Sequence, residues 1–132
     1  MEQISVLSIT PIYIAILGLL FLPITMRIGL YRIQSKISLG TGDDPEMVRL
    51  MRGQANFIET VPMALFLLIA MELLGASNTW LHALGLTLVL GRIAHYFGLT
   101  GVVPLAFRVI GMAATLLTIF LGSIWIAIDV LL

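Results

Sequence analysis

The sequence predicts an all-α membrane protein folded as a four-transmembrane-helix bundle, and three observations predict it. Of the 132 residues, 60% are hydrophobic and only 11% are charged, whereas a soluble domain carries about 45–50% apolar and about 25% charged residues. Four segments are apolar over about 20 residues, the length that crosses a bilayer as a helix. Turn-forming residues separate these segments. We therefore predict one domain, residues 1–132, whose surplus apolar surface faces lipid.

Each of the four spans is expected to be a complete helix, because irregular backbone would leave N–H and C=O groups unpaired in lipid. The first apolar run, from Ile4 to Met26, follows an acidic residue and lacks a small-residue cleavage motif. We therefore expect a retained helix rather than a signal peptide. The predicted spans are Val6–Ile28, Phe57–Leu74, Trp80–Gly98 and Pro104–Leu131.

Basic residues are concentrated in and beside the first connection. Arg108 flanks the third connection, and the second connection has no basic residue. Because basic residues mark the cytoplasmic side, we expect the first and third loops to be cytoplasmic and both termini to lie on the opposite side. The basic residues around the first connection are Arg27, Arg32, Lys36, Arg49 and Arg52.

Charge and cysteine content exclude several kinds of site. Seven basic and seven acidic residues cancel, so net charge favours neither nucleic acid nor an acidic partner. The absence of cysteine excludes a disulfide framework, a thiolate zinc site and a cysteine nucleophile. We predict no metal site, because His82 and His95 are expected near opposite faces and form no chelating cluster.

The most informative stretch is a polar stripe on the second helix. At about 100° per residue, Arg49, Arg52, Asn56 and Glu59 share one face, while Gln54 points toward a different neighbour. The stripe runs inward from the cytoplasmic surface, with Glu59 deepest. An ionised side chain in a membrane costs about 2.5–3.5 kcal/mol and usually faces the bundle interior. The stripe is therefore either a structural network that joins helices or a ligand site.

The third and fourth helices add further polar groups. Arg92, His95 and Leu99 share a face of the third helix, with Tyr96 beside it, and Arg108 opens the fourth. His95 is either a hydrogen-bonded core residue or part of a site. Guanidinium groups suit carboxylates, and a buried carboxylate suits an ammonium group. Glutathione matches this set of groups, and a phospholipid headgroup or another small amphiphilic anion also fits.

The run Arg49-x-x-Arg52-x-Gln54-x-Asn56-x-x-Glu59-x-x-Pro62 resembles the second-helix signature of the MAPEG superfamily, the membrane-associated proteins of eicosanoid and glutathione metabolism. The later run Gly91-Arg92-x-x-His95-Tyr96 and Arg108 are similar to weaker patterns of that superfamily. The resemblance covers nearly the whole chain. It implies a bacterial-type microsomal glutathione transferase-like protein of the inner membrane, assembled as a homotrimer with its active sites between subunits.

The resemblance also implies roles for individual residues. Arg52, Asn56 and Glu59 would bind glutathione as the co-substrate, with Gln54 supporting them across the interface. Arg108 would be catalytic, because a nearby guanidinium stabilises a thiolate. The thiolate would attack a hydrophobic electrophile or lipid hydroperoxide that arrives from the membrane lipids. The other implied glutathione-binding residues are Arg32 (with Arg27 as a competitor), Arg49, Arg92, His95 and Tyr96.

Two departures from the family pattern keep other functions open. Thr60 and Leu99 stand where several eicosanoid synthases have tyrosines. These departures favour a non-enzymatic member that binds lipid or assists a partner enzyme, whereas Glu59 and Arg108 favour the enzyme. A small multidrug-type transporter is the third possibility. The arginine-rich stripe at one side disfavours it, since a cation exporter needs an accessible carboxylate near the middle of the membrane.

Overall fold

The structure, a computed structural model that describes residues 6–132, is a bundle of four α-helices. Helix α1 spans Thr10–Ser35, α2 spans Pro45–Leu73, α3 spans Asn78–Leu99 and α4 spans Ala106–Leu131. Within the described residues, α1, α2 and α4 are each long and apolar enough to cross a membrane. The predicted fold class, a four-helix membrane bundle, is confirmed.

Helix α3 is not among these three, and its apolar run is interrupted by an arginine and two histidines. Its 22 residues rise about 33 Å at 1.5 Å per residue, enough to cross the hydrocarbon core. Arg92 and His95 are only 3% and 6% exposed, whereas Leu86 and Leu90 are exposed. Arg92 and His95 therefore face the bundle interior, while His82, in the first turns of α3, is exposed.

The first helix begins and ends later than the predicted first span. Val6–Ile9 precede α1, and Pro11 lies in its first turn, where the missing N–H costs no intrahelical hydrogen bond. The helix continues past Ile28 to Ser35. The start of the apolar run, at Ile4, lies outside the described residues. Apolar length thus located the membrane-crossing part of the chain, while local backbone chemistry sets the helix ends.

The start of α1 is capped by a carboxylate from another helix. α1 has no side-chain cap from its own N-cap residue and no acidic residue in its first turn. Instead, the carboxylate of Glu72 on α2 accepts hydrogen bonds from the backbone N–H groups of Ser8 (2.6 Å), Ile9 (2.8 Å) and Thr10 (2.7 Å). These bonds satisfy orphan donors and complement the helix dipole. Glu72 therefore fixes the start of α1 to the end of α2.

The second helix begins at Pro45, well before the predicted span from Phe57. Asp44 caps it, because its Oδ1 accepts hydrogen bonds from the backbone N–H groups of Glu46 (2.8 Å) and Met47 (3.1 Å). This cap adds three polar turns ahead of the apolar segment. The polar stripe consequently lies on a continuous helix, which preserves the spacing of its side chains.

Helices α3 and α4 pack closely because glycines lie where they cross. A Cβ atom on Gly111 would overlap the carbonyl oxygen of Gly91, and one on Gly98 would overlap the backbone nitrogen of Arg108. Gly91 and Gly111 therefore allow the two helices to approach closely. The contact also brings His95 on α3 against the first turn of α4.

Apolar side chains divide between the bundle interior and its outer face. Those in the interior are almost fully inaccessible and form the core. Large apolar side chains also cover the outside, which is the pattern expected where lipid replaces water as the solvent. Core residues include Leu17, Leu68, Met71, Leu81 and Leu88, and outward residues include Leu19, Ile33, Phe66, Leu90 and Phe120.

Candidate functional site

A polar cavity of about 240 Å³ lies between α2, α3 and α4. Arg49 and Arg52 of α2 and Arg108 of α4 contribute three guanidinium groups. Asn56 and His95 supply its other polar side chains. No carboxylate from residues 6–132 lines the cavity, so its charge is positive and suits an anion. The lining residues are Val48, Arg49, Arg52, Asn56, His95, Leu99 and Arg108.

The two arginines of α2 keep donors available in this cavity. Nη1 of Arg49 lies 3.7 Å from Oε2 of Glu46, and Nη2 of Arg52 lies 4.0 Å from Oε2 of Glu59. Both arginine side chains are more than half exposed, at 55% and 59%. Exposed pairs of this length hold their partners only weakly. A bound anion can therefore compete for either guanidinium.

Hydrogen bonds from Arg92 on α3 fix the orientation of the Asn56 amide. Nη1 of Arg92 donates to Oδ1 of Asn56 at 2.6 Å and to Oγ1 of Thr60 at 3.1 Å. Thr60 in turn donates its hydroxyl to the backbone carbonyl of Asn56 at 2.8 Å. Because arginine only donates hydrogen bonds, the amide oxygen must face Arg92. The NH₂ group of Asn56, which lies 3.9 Å from the sulfur of Met112, is left as the donor on the other side.

His95 connects α3 to the first turn of α4. Its Nδ1 lies 3.0 Å from the backbone carbonyl oxygen of Arg108. Since a carbonyl oxygen only accepts, Nδ1 carries the hydrogen, and the neutral ring keeps its acceptor at Nε2. His95 is 6% exposed. His95 is therefore a buried, hydrogen-bonded residue, as one of the two interpretations predicted. The same hydrogen bond positions the backbone of Arg108, whose side chain lines the cavity.

Glu59 differs most from its predicted place. We expected it to be the deepest member of the stripe and to face the bundle interior. Its side chain is instead 56% exposed on the outside of the chain, and it is absent from the polar cavity lining. The stripe turns with the helix, so Arg49 and Asn56 reach the cavity while Glu59 points outward. Its partner in the chain is Arg52, at 4.0 Å.

Two other predicted residues contact different parts of the chain. Nη1 of Arg32 donates to the carbonyl of Gly40 at 2.8 Å, so Arg32 braces the first loop. Nε2 of Gln54 donates to Oγ1 of Thr25 on α1 at 3.1 Å, which confirms that Gln54 points to a different neighbour. Neither side chain lines the polar cavity of a single chain.

Arg92 and Tyr96 also lie outside the polar cavity lining. Both line a second cavity between α1, α2 and α3. The ring of Tyr96 packs against Gly53, where a Cβ atom would lie only 2.8 Å from the ring. This close contact sets how α2 and α3 face each other beside the polar stripe. Of the three glutathione-binding residues predicted on α3, Arg92, His95 and Tyr96, only His95 lines the polar cavity.

An apolar groove of about 590 Å³ continues from the polar cavity along α4. The two spaces share Asn56, His95 and Arg108. A polar molecule in the cavity and an apolar molecule in the groove would therefore meet beside Arg108. The remaining groove residues are Leu105, Val109, Met112, Ala113 and Leu116.

Sequence reasoning missed several residues that shape this site. Val48 and Met112 line it, but single apolar residues in an apolar chain carry no distinguishing signal. Thr60 entered only as a departure from a family pattern, yet it accepts a hydrogen bond from Arg92. One sequence feature could have indicated the Glu72 cap: the first turn of α1 contains no acidic residue of its own, so its N–H groups need a carboxylate from elsewhere.

Comparison with known proteins gives consistent matches over most of the chain. The family described as the MAPEG family matches residues 10–128. Inner membrane protein YecN of Escherichia coli strain K12 is 29% identical over 120 residues, which cover 89% of this chain and 91% of the relative. The protein of the same name from Escherichia coli O6:H1 matches with the same identity and coverage. All residues that line the polar cavity fall inside the matched region.

Proposed function

We propose that this chain, which belongs to the MAPEG family, is a membrane-bound glutathione transferase or peroxidase-like enzyme. The observation that carries the proposal is the junction of an arginine-lined polar cavity with an apolar groove. The cavity takes the polar thiol, and the groove takes a hydrophobic electrophile or lipid hydroperoxide. Arg108 lines both spaces, so the two reactants meet beside its guanidinium.

The donors of the polar cavity match the charges of glutathione. The tripeptide carries two carboxylates, and Arg49 and Arg52 offer fork-shaped donor sets that bind carboxylates bidentately. The NH₂ group of Asn56 is left to donate to a carboxylate or amide oxygen. The ammonium group needs an acceptor outside the cavity lining, and we assign this role to Glu59, which points outward beside Arg52.

Arg108 activates the thiol in this proposal. A guanidinium close to the sulfur stabilises the thiolate and lowers the thiol pKa, so more of the bound thiol is ionised at neutral pH. The thiolate sulfur attacks the electrophilic carbon, and with an epoxide the new S–C bond forms as the C–O bond breaks. The released oxygen takes a proton from water. No protein cysteine is required, because the substrate brings the sulfur.

The exposed charges on α2 support an assembly of several chains. Glu59 lies beyond the third turn of a membrane-crossing helix, and its side chain is 56% exposed. A charge that faces lipid is costly, whereas the same charge at a protein interface can pair with a group of the neighbouring subunit. We infer that a second subunit covers Glu59, as in the homotrimer that the family resemblance implies. Arg32 and Gln54, which lie outside the cavity of one chain, can then contribute from that second subunit.

We infer that the protein lies in the bacterial inner membrane. The two relatives carry the name inner membrane protein, and three helices within residues 6–132 have the length and hydropathy of spans. The basic residues around the first loop put that loop, the third loop and the polar cavity on the cytoplasmic side. Glutathione is a polar molecule that reaches such a cavity from the aqueous phase, while the second substrate arrives through lipid.

Glutathione binding by the purified protein tests the proposal. Isothermal calorimetry in detergent compares the wild type with Arg52→Ala and with Lys36→Ala, which removes a nearby positive charge outside the cavity. We expect saturable binding, weakened at least about tenfold by Arg52→Ala, since a charge-assisted hydrogen bond contributes about 1.5–3 kcal/mol. Lys36→Ala should bind like the wild type. A folded wild-type protein that does not bind glutathione contradicts the proposal.

A non-enzymatic lipid-binding role is the second candidate, and the size of the α4 groove favours it. At about 590 Å³ the groove is larger than the polar cavity, and Thr60 and Leu99 replace tyrosines of the family pattern. The two roles differ in turnover. Conjugation of glutathione to chlorodinitrobenzene, lost in Arg108→Ala, supports the enzyme. Glutathione-independent retention of lipid without any conjugation supports the binding protein.

A further inference from the structure

A second cavity, of about 230 Å³, lies between α1, α2 and α3 and has no lining residue in common with the polar cavity. Most of its wall is apolar. Two basic residues interrupt that wall: Arg27, whose side chain is 44% exposed, and Arg92, which is 3% exposed. This cavity has no part in the glutathione reaction proposed above. Its apolar wall includes Leu20, Ile24, Phe57, Ile93 and Phe97.

Arg92 is a buried cation with one edge unused. Nη1 donates to Asn56 and Thr60, but Nε and Nη2 are buried and have no hydrogen-bond partner in the described part of the chain. No carboxylate of residues 6–132 lies within ion-pair distance of this guanidinium. Leaving a buried charge without a counter-ion is strongly unfavourable. The arrangement therefore indicates an anion that comes from outside the described chain.

The geometry of the unused edge indicates the kind of anion. Nε and Nη2 form one side of the planar guanidinium and carry two nearly parallel N–H groups. This is the edge that binds the two oxygens of a carboxylate bidentately. Thr60 and Asn56 already accept hydrogen bonds from Nη1 and hold the guanidinium in place. Binding such a ligand therefore costs little additional side-chain conformational entropy.

We propose that this cavity is a binding site for a fatty acid, with the carboxylate on the Nε–Nη2 edge of Arg92 and the acyl chain along the apolar wall. Arg92 lies seven residues from the end of α3 at Leu99, a rise of about 10 Å. An anionic head at that depth lies close to the polar end of the bundle. Arg27, which lines the same cavity near Glu46, attracts the carboxylate during entry.

The size of the cavity selects one acyl chain. Its volume of about 230 Å³ is below the roughly 300–1,000 Å³ of pockets that enclose drug-sized ligands. A carboxylate and the first part of one chain fit, and the rest of the chain extends into the bilayer. A phospholipid with its glycerol and two chains does not fit. The bound carboxylate also fixes Arg92, whose Nη1 orients Asn56 in the polar cavity.

Binding of radiolabelled oleate to delipidated protein in detergent tests this site independently of glutathione. We expect Arg92→Gln to weaken oleate binding at least about tenfold, because a bidentate charge-assisted contact is lost. Leu20→Trp fills the cavity but keeps Arg92, and it should weaken binding comparably. Leu19→Trp is the matched control, since Leu19 is exposed on the outside of α1 and lines none of these cavities. It should leave oleate affinity within about twofold of the wild type.

Competition distinguishes the ligand classes. Unlabelled oleate should displace the label, whereas oleyl alcohol and dioleoyl phosphatidylglycerol should displace it at least about tenfold less well. Normal binding by Leu20→Trp, loss of binding in Leu19→Trp, or equal competition by the alcohol or the phospholipid would each overturn the proposal. If Arg92→Gln does not fold, as judged by gel filtration and circular dichroism, Leu20→Trp decides the matter.

Discussion

Arg92 on α3 donates a 2.6 Å hydrogen bond from Nη1 to Oδ1 of Asn56 on α2. The contact joins two cavities with different linings, because Arg92 borders the apolar cavity and Asn56 borders the polar one. It also decides which end of the Asn56 amide remains free to donate. Arg92 is thus a positioning residue for the polar cavity, although it does not line that cavity.

Arg92 and Asn56 should be energetically coupled in glutathione binding. Arg92→Lys keeps the charge but loses the paired contact with Asn56 and Thr60, so the amide is no longer held in one orientation. We expect Arg92→Lys and Asn56→Ala each to weaken binding. The loss of binding free energy in the double variant should be smaller than the sum of the two single losses, by about 0.5–3 kcal/mol. Calorimetry of the four proteins measures this, and simple additivity would show that Arg92 acts by another route.

The crossing of α3 and α4 predicts a steric effect at Gly111. A Cβ atom there would overlap Gly91 and the backbone of His95, so Gly111→Ala should lower the free energy of unfolding by about 1–3 kcal/mol. Gly18→Ala is the control, because a Cβ atom on Gly18 meets no atom within 4 Å. The control should be neutral or stabilise by up to about 1 kcal/mol. Thermal unfolding in detergent compares them, and equal effects would contradict the close packing.

The capping role of Glu72 predicts a specific loss of stability. Glu72→Gln removes the charge that accepts hydrogen bonds from three successive backbone N–H groups at Ser8, Ile9 and Thr10. We expect a loss of about 1–3 kcal/mol and faster hydrogen exchange confined to the start of α1. Asp129→Asn is the control, since Asp129 is exposed and makes no hydrogen bond or ion pair within the described residues. Unchanged exchange at α1 in Glu72→Gln would refute the role.

The cap at Asp44 predicts a pH dependence at the start of α2. Hydrogen bonds from the Met47 backbone N–H, then from the Tyr31 hydroxyl and the Glu46 backbone N–H, lower the pKa of Asp44 below its ordinary value of 3.8. A carboxyl group with a lowered folded-state pKa stabilises the protein above its unfolded pKa, and this stabilisation is lost as the pH falls through the folded value.

Wild type and Asp44→Asn should therefore differ in thermal stability at neutral pH. Asparagine still caps a helix, so the difference reports the charge alone. The two melting temperatures should converge as the pH falls below 3.8. A difference that persists unchanged at low pH would mean that the ionised cap does not contribute.

Periodicity alone located most of the polar cavity. The spacing of Arg49, Arg52 and Asn56 on α2 and the placement of His95 and Arg108 predicted residues that do line one space. This worked because a helix fixes the relative direction of side chains three and four residues apart. Apolar segment length likewise predicted four helices, since a bilayer demands a minimum span.

Contacts between distant helices could not be read from the sequence. The pattern placed Glu59 toward the interior, but which way a helix face turns depends on its neighbours, and Glu59 points outward. The family resemblance implies that Arg92 binds glutathione, yet Arg92 hydrogen-bonds to Thr60 and lines a different cavity. The Glu72 cap joins residues 62 to 64 positions apart, a relationship that no local pattern contains.

The ionisation of bound glutathione tests the central claim most directly. Ultraviolet absorbance of the thiolate, titrated with the tripeptide bound, should give a thiol pKa well below the ordinary value of about 8.5 in the wild type. Arg108→Ala should bind glutathione but return the thiol pKa to near that value. Lys36→Ala should titrate like the wild type. A bound thiol that titrates in the wild type as it does free in water would contradict thiolate activation by Arg108.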